Sequence, residues 1–150
     1  MSNAPSKPLI VTSWVLQIVV AAILAQTLFF KLSGADETKA LFDVLGAEPA
    51  GRYATALLEL AAVVLLLIPR TAALGAIVSA GVISGAIMAH LTKLGVSIDP
   101  AALGDPRLEP LAGPSLFAMA LVVLVASLGI LAIRRASIPI LGPRLTGRRG

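Results

Sequence analysis

Four apolar stretches dominate this chain, each close to the roughly 20 residues that an α-helix needs to cross a bilayer. They run over about 9–31, 52–68, 71–92 and 114–133. Hydrophobic residues make up 57% of the 150, charged residues only 13%, and the mean hydropathy is +0.94. That charge content is about half that of an ordinary soluble domain, and a soluble fold of this length cannot bury so much apolar surface. A bilayer is the natural solvent for it. The predicted fold is therefore an all-α membrane protein, with four transmembrane helices in an antiparallel bundle over 1–133 and a basic tail over 134–150.

The connections refine this layout. Trp14 lies near the start of the first span as an interfacial anchor. A cleavable leader is disfavoured there, because the start is weakly basic and Ala25-Gln26-Thr27 ahead of Phe29-Phe30-Lys31 is a poor cleavage context. Between spans one and two, Leu41, Phe42, Val44 and Leu45 alternate with Asp36, Glu37, Lys39 and Asp43 before Gly46. The pattern predicts a short amphipathic helix lying on the membrane surface. Span two stops at Pro69-Arg70, is short unless Gly51 and Arg52 extend it, and forms a tight hairpin with span three. The segment from Thr92 to Gly113 holds Pro100, Pro106, Pro110 and three acids, which predicts an irregular loop with at most one helical turn.

Four spans place both termini on one side. That side carries Lys7, Arg70, Arg134, Arg135, Arg144, Arg148 and Arg149 and no acid; the other carries five basic residues beside seven acids. The positive-inside rule then predicts cytoplasmic termini in a bacterial-type inner membrane. Lipid phosphate explains the net charge of +4 better than nucleic acid does, since the basic residues flank membrane spans. With no cysteine, the chain has no disulfide, thiolate metal site or Cys-ligated cluster; the single His90 leaves it without a bis-His haem or multi-His metal site. No metal and no covalently held cofactor is expected, and any redox centre must come from a bound small molecule or a partner.

Span three carries Gly75, Ser79, Gly81, Ser84, Gly85 and Ala89, with Gly81 and Gly85 in a GxxxG pair. Small residues let helix backbones approach in lipid, where no hydrophobic force drives association. The stripe is read as an intrachain packing face, with a homodimer interface as the alternative. Among polar groups, Glu59 lies seven residues inside span two, roughly 10 Å deep, and a carboxylate there should face the bundle interior. Topology puts Lys31, His90 and Gln26 in the same outer half of the bilayer. Lys31 can reach down its aliphatic stem to pair with Glu59, and Thr55 can add a hydrogen bond one turn above. Gln17 shares the face of Lys31, whereas Gln26 is rotated away. The blander alternatives are a snorkelling Lys31, an interfacial His90, a Gln26 that glues helices, and a purely structural Glu59. Glu59, Lys31, His90 and Gln26 thus form the candidate ligand-binding or buried polar cluster, and no catalytic residue is assigned.

Phe29-Phe30-Lys31-Leu32, Leu41-Phe42-Asp43-Val44-Leu45-Gly46 and Leu57-Leu58-Glu59-Leu60-Ala61-Ala62 together resemble the DoxX and DoxX-like family of small four-helix membrane proteins. The resemblance is best over about 29–94; of the family's pattern, Lys31 and Glu59 match. It implies a membrane-integral protein that works with redox enzymes, some relatives being linked to quinone reduction during sulfur-compound oxidation and others to a complex that handles oxidative stress. Lacking cysteines and an extracytoplasmic domain, this chain is not expected to be a complete enzyme alone. Three readings follow: a subunit of a membrane oxidoreductase or respiratory complex offering a quinone or lipid pocket; a structural or assembly subunit of a larger complex; and a small-molecule binder or carrier.

Overall fold

The first helix, α1 (Lys7–Ser33), opens with Pro8 in its first turn, where the missing N–H has no intrahelical partner to lose. It closes at Gly34, whose φ of 69° makes a left-handed cap. In this computed structural model, which describes residues 5–135, α2 (Asp36–Val44), α3 (Ala50–Leu67) and α4 (Ala72–Ala89) follow, and α4 continues through a π-helical turn, His90–Leu94. A one-turn helix, α5 (Pro100–Leu103), and a 3-10 turn (Pro106–Leu111) lead to α6 (Ser115–Arg134). Arg52 and Gly51 do extend the second span, which has 18 helical residues.

Four helices are long and apolar enough to cross a membrane: α1, α3, α4 with its π turn, and α6. Each of α1 and α4 packs on both α3 and α6, while α1 and α4 face each other only across the diagonal. The bundle core contains Val20, Leu24, Ala62, Leu66, Ala76, Ile83, Val123 and Ile130. Outward, Val15, Ile18, Leu57, Val64, Val125 and Leu128 are exposed, an apolar surface that only lipid or another apolar partner would wet favourably. This is a multi-pass membrane protein. One end of the bundle, here the terminal end, holds the start of α1, the α3–α4 turn and the end of α6. The opposite end, here the loop end, holds the two long connections.

The α3–α4 hairpin is as tight as expected. The Thr71 hydroxyl donates to the Leu65 carbonyl at 2.9 Å, satisfying an orphan carbonyl at the end of α3. Gly75 permits the close crossing: a Cβ there would lie 2.6 Å from the backbone nitrogen of Leu66. The rest of the small-residue stripe behaves otherwise. Ser79 is buried, but Gly81, Ser84 and Gly85 point away from the bundle, and a Cβ on either glycine would meet nothing within 4 Å. The GxxxG pair is therefore not an intrachain packing face, because α4 contacts α3 and α6 through its other side.

The loop end departs further from expectation. α2 is a helix, and its apolar side packs against the protein itself. Ala40 joins Leu94, Ile98 and Leu108 in a second small core, with Leu41, Val44, Leu45, Leu103 and Leu111 packed around it. The 92–113 connection is a folded cap rather than an irregular loop. Its prolines start turns instead of breaking them: Asp99 caps Ala101 and Ala102 ahead of Pro100, and Asp105 caps Arg107 ahead of Pro106. Ile98 and Gly113 then pair their backbones, closing the segment. Arg107 pins α2 to this cap by bridging Asp43 and Asp105. The Arg107 side-chain hydrogen bond holds the Asp105 carboxyl below the usual carboxylate range. The tail beyond Arg135 lies outside the described residues.

Candidate functional site

On α1 the residues Ser13, Gln17, Val20, Leu24, Thr27 and Lys31 recur at helical spacing, so one face turns inward along its whole length. Its loop end brings Lys31 onto Glu59 of α3 in an ion pair. The Thr27 hydroxyl lies 3.2 Å from the second carboxylate oxygen and 3.0 Å from the Leu24 carbonyl of its own helix, so its one proton is shared between the two acceptors. Glu59 is only 3% exposed, and both its oxygens are occupied by donors from α1. The Phe42 ring of α2 lies 5.8 Å from the Lys31 ammonium, so α2 contributes one wall of the site.

A second pair adjoins the first. Arg52, also 3% exposed, holds Glu48 through Nε at 2.9 Å to each oxygen and through Nη2 at 2.8 Å. The same guanidinium donates to the backbone carbonyl of Lys31, one of the orphan acceptors at the end of α1, and stacks 4.4 Å from the Tyr53 ring. Lys31 is therefore the hinge of the cluster: its ammonium meets Glu59 and its carbonyl meets Arg52. Two cations and two carboxylates balance, which is how charge survives at this depth.

Of the four candidate residues, Lys31 and Glu59 come together and two do not. Gln26 is exposed on the outer surface of α1 and takes no part; Thr27, one position on, supplies the hydrogen bond. His90 is buried, but its Nδ1 lies 2.8 Å from the Gly95 carbonyl and its ring packs edge-on to Phe117 of α6. It stabilises the π turn and has no hydrogen bond to Glu59 or Lys31. Thr55 also turns away, donating to the Gly51 and Arg52 carbonyls of its own helix. Glu48 and Arg52 were missed as site residues, although their i,i+4 spacing is a legible pairing signal.

The terminal end holds a different set of polar groups. Ser13 and Gln17 are both fully buried. Gln17 Nε2 donates to Ser13 Oγ at 2.6 Å, and Arg134 Nε donates to the same oxygen at 3.0 Å. Ser79 and Ser127 share a hydrogen bond of 2.9 Å between α4 and α6. On the inward face of α1, Val20 and Leu24 separate the two polar clusters, and both belong to the bundle core. No family model, curated protein or solved structure matches this chain.

Proposed function

We propose that this chain is a DoxX-like membrane subunit that works with a membrane oxidoreductase or respiratory complex, and that it is not a complete enzyme by itself. The observation that carries the reading is the Lys31–Glu59–Thr27 cluster, a buried acid and base held between α1 and α3 and walled by Phe42. Buried ionisable groups in a membrane bundle are expensive and are retained for function more often than for stability alone. A quinone head group presents carbonyl or hydroxyl oxygens that an ammonium, a hydroxyl and a carboxylate can bind, and a carboxylate next to such oxygens can accept a proton. Such a ligand would have to displace Thr27 or Lys31 from Glu59, so binding and the ion pair compete.

A second reading is favoured by a specific observation: both oxygens of Glu59 already have protein donors. A satisfied pair also serves as a register lock in a structural or assembly subunit. The carrier reading is the weakest, since Val20 and Leu24 interrupt the polar residues along α1. The test is purification from native membranes in mild detergent, with identification of co-eluting proteins and extractable quinone. The oxidoreductase reading expects quinone and redox subunits with the native chain, and quinone lost in Glu59→Gln while the partners remain. Partners without quinone in either protein would favour the structural subunit, and neither partners nor quinone would overturn the reading.

A further inference from the structure

Helix α2 has a left-handed glycine just beyond each end, Gly34 and Gly46, both with φ of 69°. From between them Phe42 turns to the bundle. Its ring lies 5.8 Å from the Lys31 ammonium at the end of α1, and a Cβ on Gly51, in the first turn of α3, would lie 3.7 Å from it. The ring thus bridges α1 and α3 at the loop end, over the Lys31–Glu59 pair. That pair is nearly shut off, with the Lys31 side chain 14% exposed and that of Glu59 4%. Toward the terminal end, Val20, Leu24 and Ala62 of the bundle core close it. An approach from water is left only at the loop end, and Phe42 stands in it.

What holds α2 in place is chiefly the cap and not the bundle. Ala40 is fully buried beside Leu94, Ile98 and Leu108. Asp43 takes the Arg107 guanidinium at 3.0 Å, and the Leu45 carbonyl accepts from the Lys93 ammonium at 3.2 Å. Both charged ties are exposed, and exposed ion pairs contribute little, so the small apolar core is the main one. Contacts with α1 and α3 are few, and Phe42 reaches both helices. The helix that covers the site is therefore fastened from the far side, by residues that belong to the cap.

The sequence of α2 supplies a second resting place. Leu41, Phe42, Val44 and Leu45 among Asp36, Glu37, Lys39 and Asp43 make a pattern suited to the surface of a bilayer. In the structure the same apolar side packs on the cap. A helix with two apolar partners of similar chemistry, tethered by residues that absorb backbone rotation, is a two-state element. We propose that α2 is a lid on the Lys31–Glu59 site, hinged at Gly34 and Gly46 and latched by the cap. Docked on the cap, it seals the loop-end mouth with Phe42. Undocked, with its apolar face on the membrane surface, it opens the pair to water and ligands from the loop end. The lid deepens the reading of this cluster as a working site, on which it rests, by assigning the side of entry and the element that controls it.

The test reads access to the site without any quinone. Thr27→Cys places a thiol beside Glu59 in a chain that has no cysteine of its own. Its rate of reaction with a charged, water-soluble methanethiosulfonate is measured on the full chain in phospholipid nanodiscs. The expected rate is slow, rising roughly tenfold or more when Phe42→Ala or Leu108→Ala is added, since each removes a large buried side chain. Arg107→Gln, which removes only an exposed clasp, should raise it about two- to fivefold. A thiol in the bundle core, Ser79→Cys, should stay slow in the same backgrounds, which separates lid opening from unfolding. Should Leu108→Ala also speed Ser79→Cys, that variant has loosened the bundle and Arg107→Gln decides. Acceleration by Phe42→Ala alone would make Phe42 a fixed plug and overturn the lid, as would equal rates in every variant. A lid that opens as expected on a chain that carries no quinone would sink the redox reading and leave the lid standing.

Discussion

The Lys31–Glu59 pair tests how charge is tolerated inside the bundle. The Lys31 side chain is 14% exposed and that of Glu59 4%, so neither is well hydrated. Removing one partner by Lys31→Met or Glu59→Gln should destabilise the protein by about 3–5 kcal/mol, since the survivor is left buried and uncompensated. The double variant should lose less than the sum. Thr27→Val should cost about 1 kcal/mol, the usual net worth of one hydrogen bond. A double-mutant cycle on thermal or SDS unfolding measures the coupling, and additive losses would show that the two groups do not interact. The depth of these residues is legible from sequence, because rise per residue converts numbering into distance along the bilayer normal. Azimuth is harder to read. Helix α1 is largely apolar and its phase is weak: the sequence sets Gln26 off the face of Lys31, but it does not single out Thr27, which faces in. Lys31 itself was the missing guide: Thr27 lies one turn below it, on the same face.

The same loss of phase explains the third span. Gly75, Gly81 and Gly85 look alike in sequence, yet one is pressed against α3 and two face outward. Gly75→Ala should destabilise the hairpin by about 1–3 kcal/mol, the usual range for overpacking, because its Cβ would collide with the immovable backbone of Leu66. Gly81→Ala and Gly85→Ala meet no atom and replace a poor helix former, so each should leave the isolated chain unchanged or up to about 1 kcal/mol more stable. Unfolding midpoints of the three variants in one detergent decide it; equal losses at all three would mean that the GxxxG face is packed after all. The loop-end cap escaped the sequence for a different reason. Asp99-Pro100 and Asp105-Pro106 read as breakers, but an Asp cap followed by proline is also a helix start, and only the burial of Ile98 and Leu108 distinguishes the two. The amphipathic pattern of α2 was legible; what its apolar face meets was not, since lipid and a leucine-rich loop satisfy it equally.

For the whole molecule, the described chain has two regions with separate cores, a bundle of apolar spans and a cap held by a small core and by Arg107. The Asp105 carboxyl is held below its unfolded value of about 3.9 by the Arg107 hydrogen bond. A depressed folded pKa stabilises above the unfolded pKa and is lost as pH falls through the folded one. The cap should therefore stay closed from neutral pH down to about 4 and loosen only in stronger acid, whereas Asp105→Asn should loosen it at all pH values. Amide exchange over 98–113, compared with that of the bundle helices, reads this directly; no difference between Asp105→Asn and the native chain would remove Arg107 as its clasp. Orientation is the remaining question, and charge alone argues it. All the acids but Glu59 lie in the loop-end connections, while the terminal end and the tail carry seven basic residues and no acid side chain. Translocating the loop end moves five basic residues across the membrane; the opposite orientation moves seven, Arg134 and Arg135 directly at a helix end among them. A reporter that fluoresces only in the cytoplasm, fused after Gly150, should therefore be bright, and one active only outside should be silent there. Moving the asymmetry should move the result: Arg70, Arg134 and Arg135 all changed to Gln leave four basic residues against five, and a fraction of chains should then invert. A dark cytoplasmic fusion beside an active external one would reverse the topology and place the Lys31–Glu59 cluster in the cytoplasmic half of the bilayer.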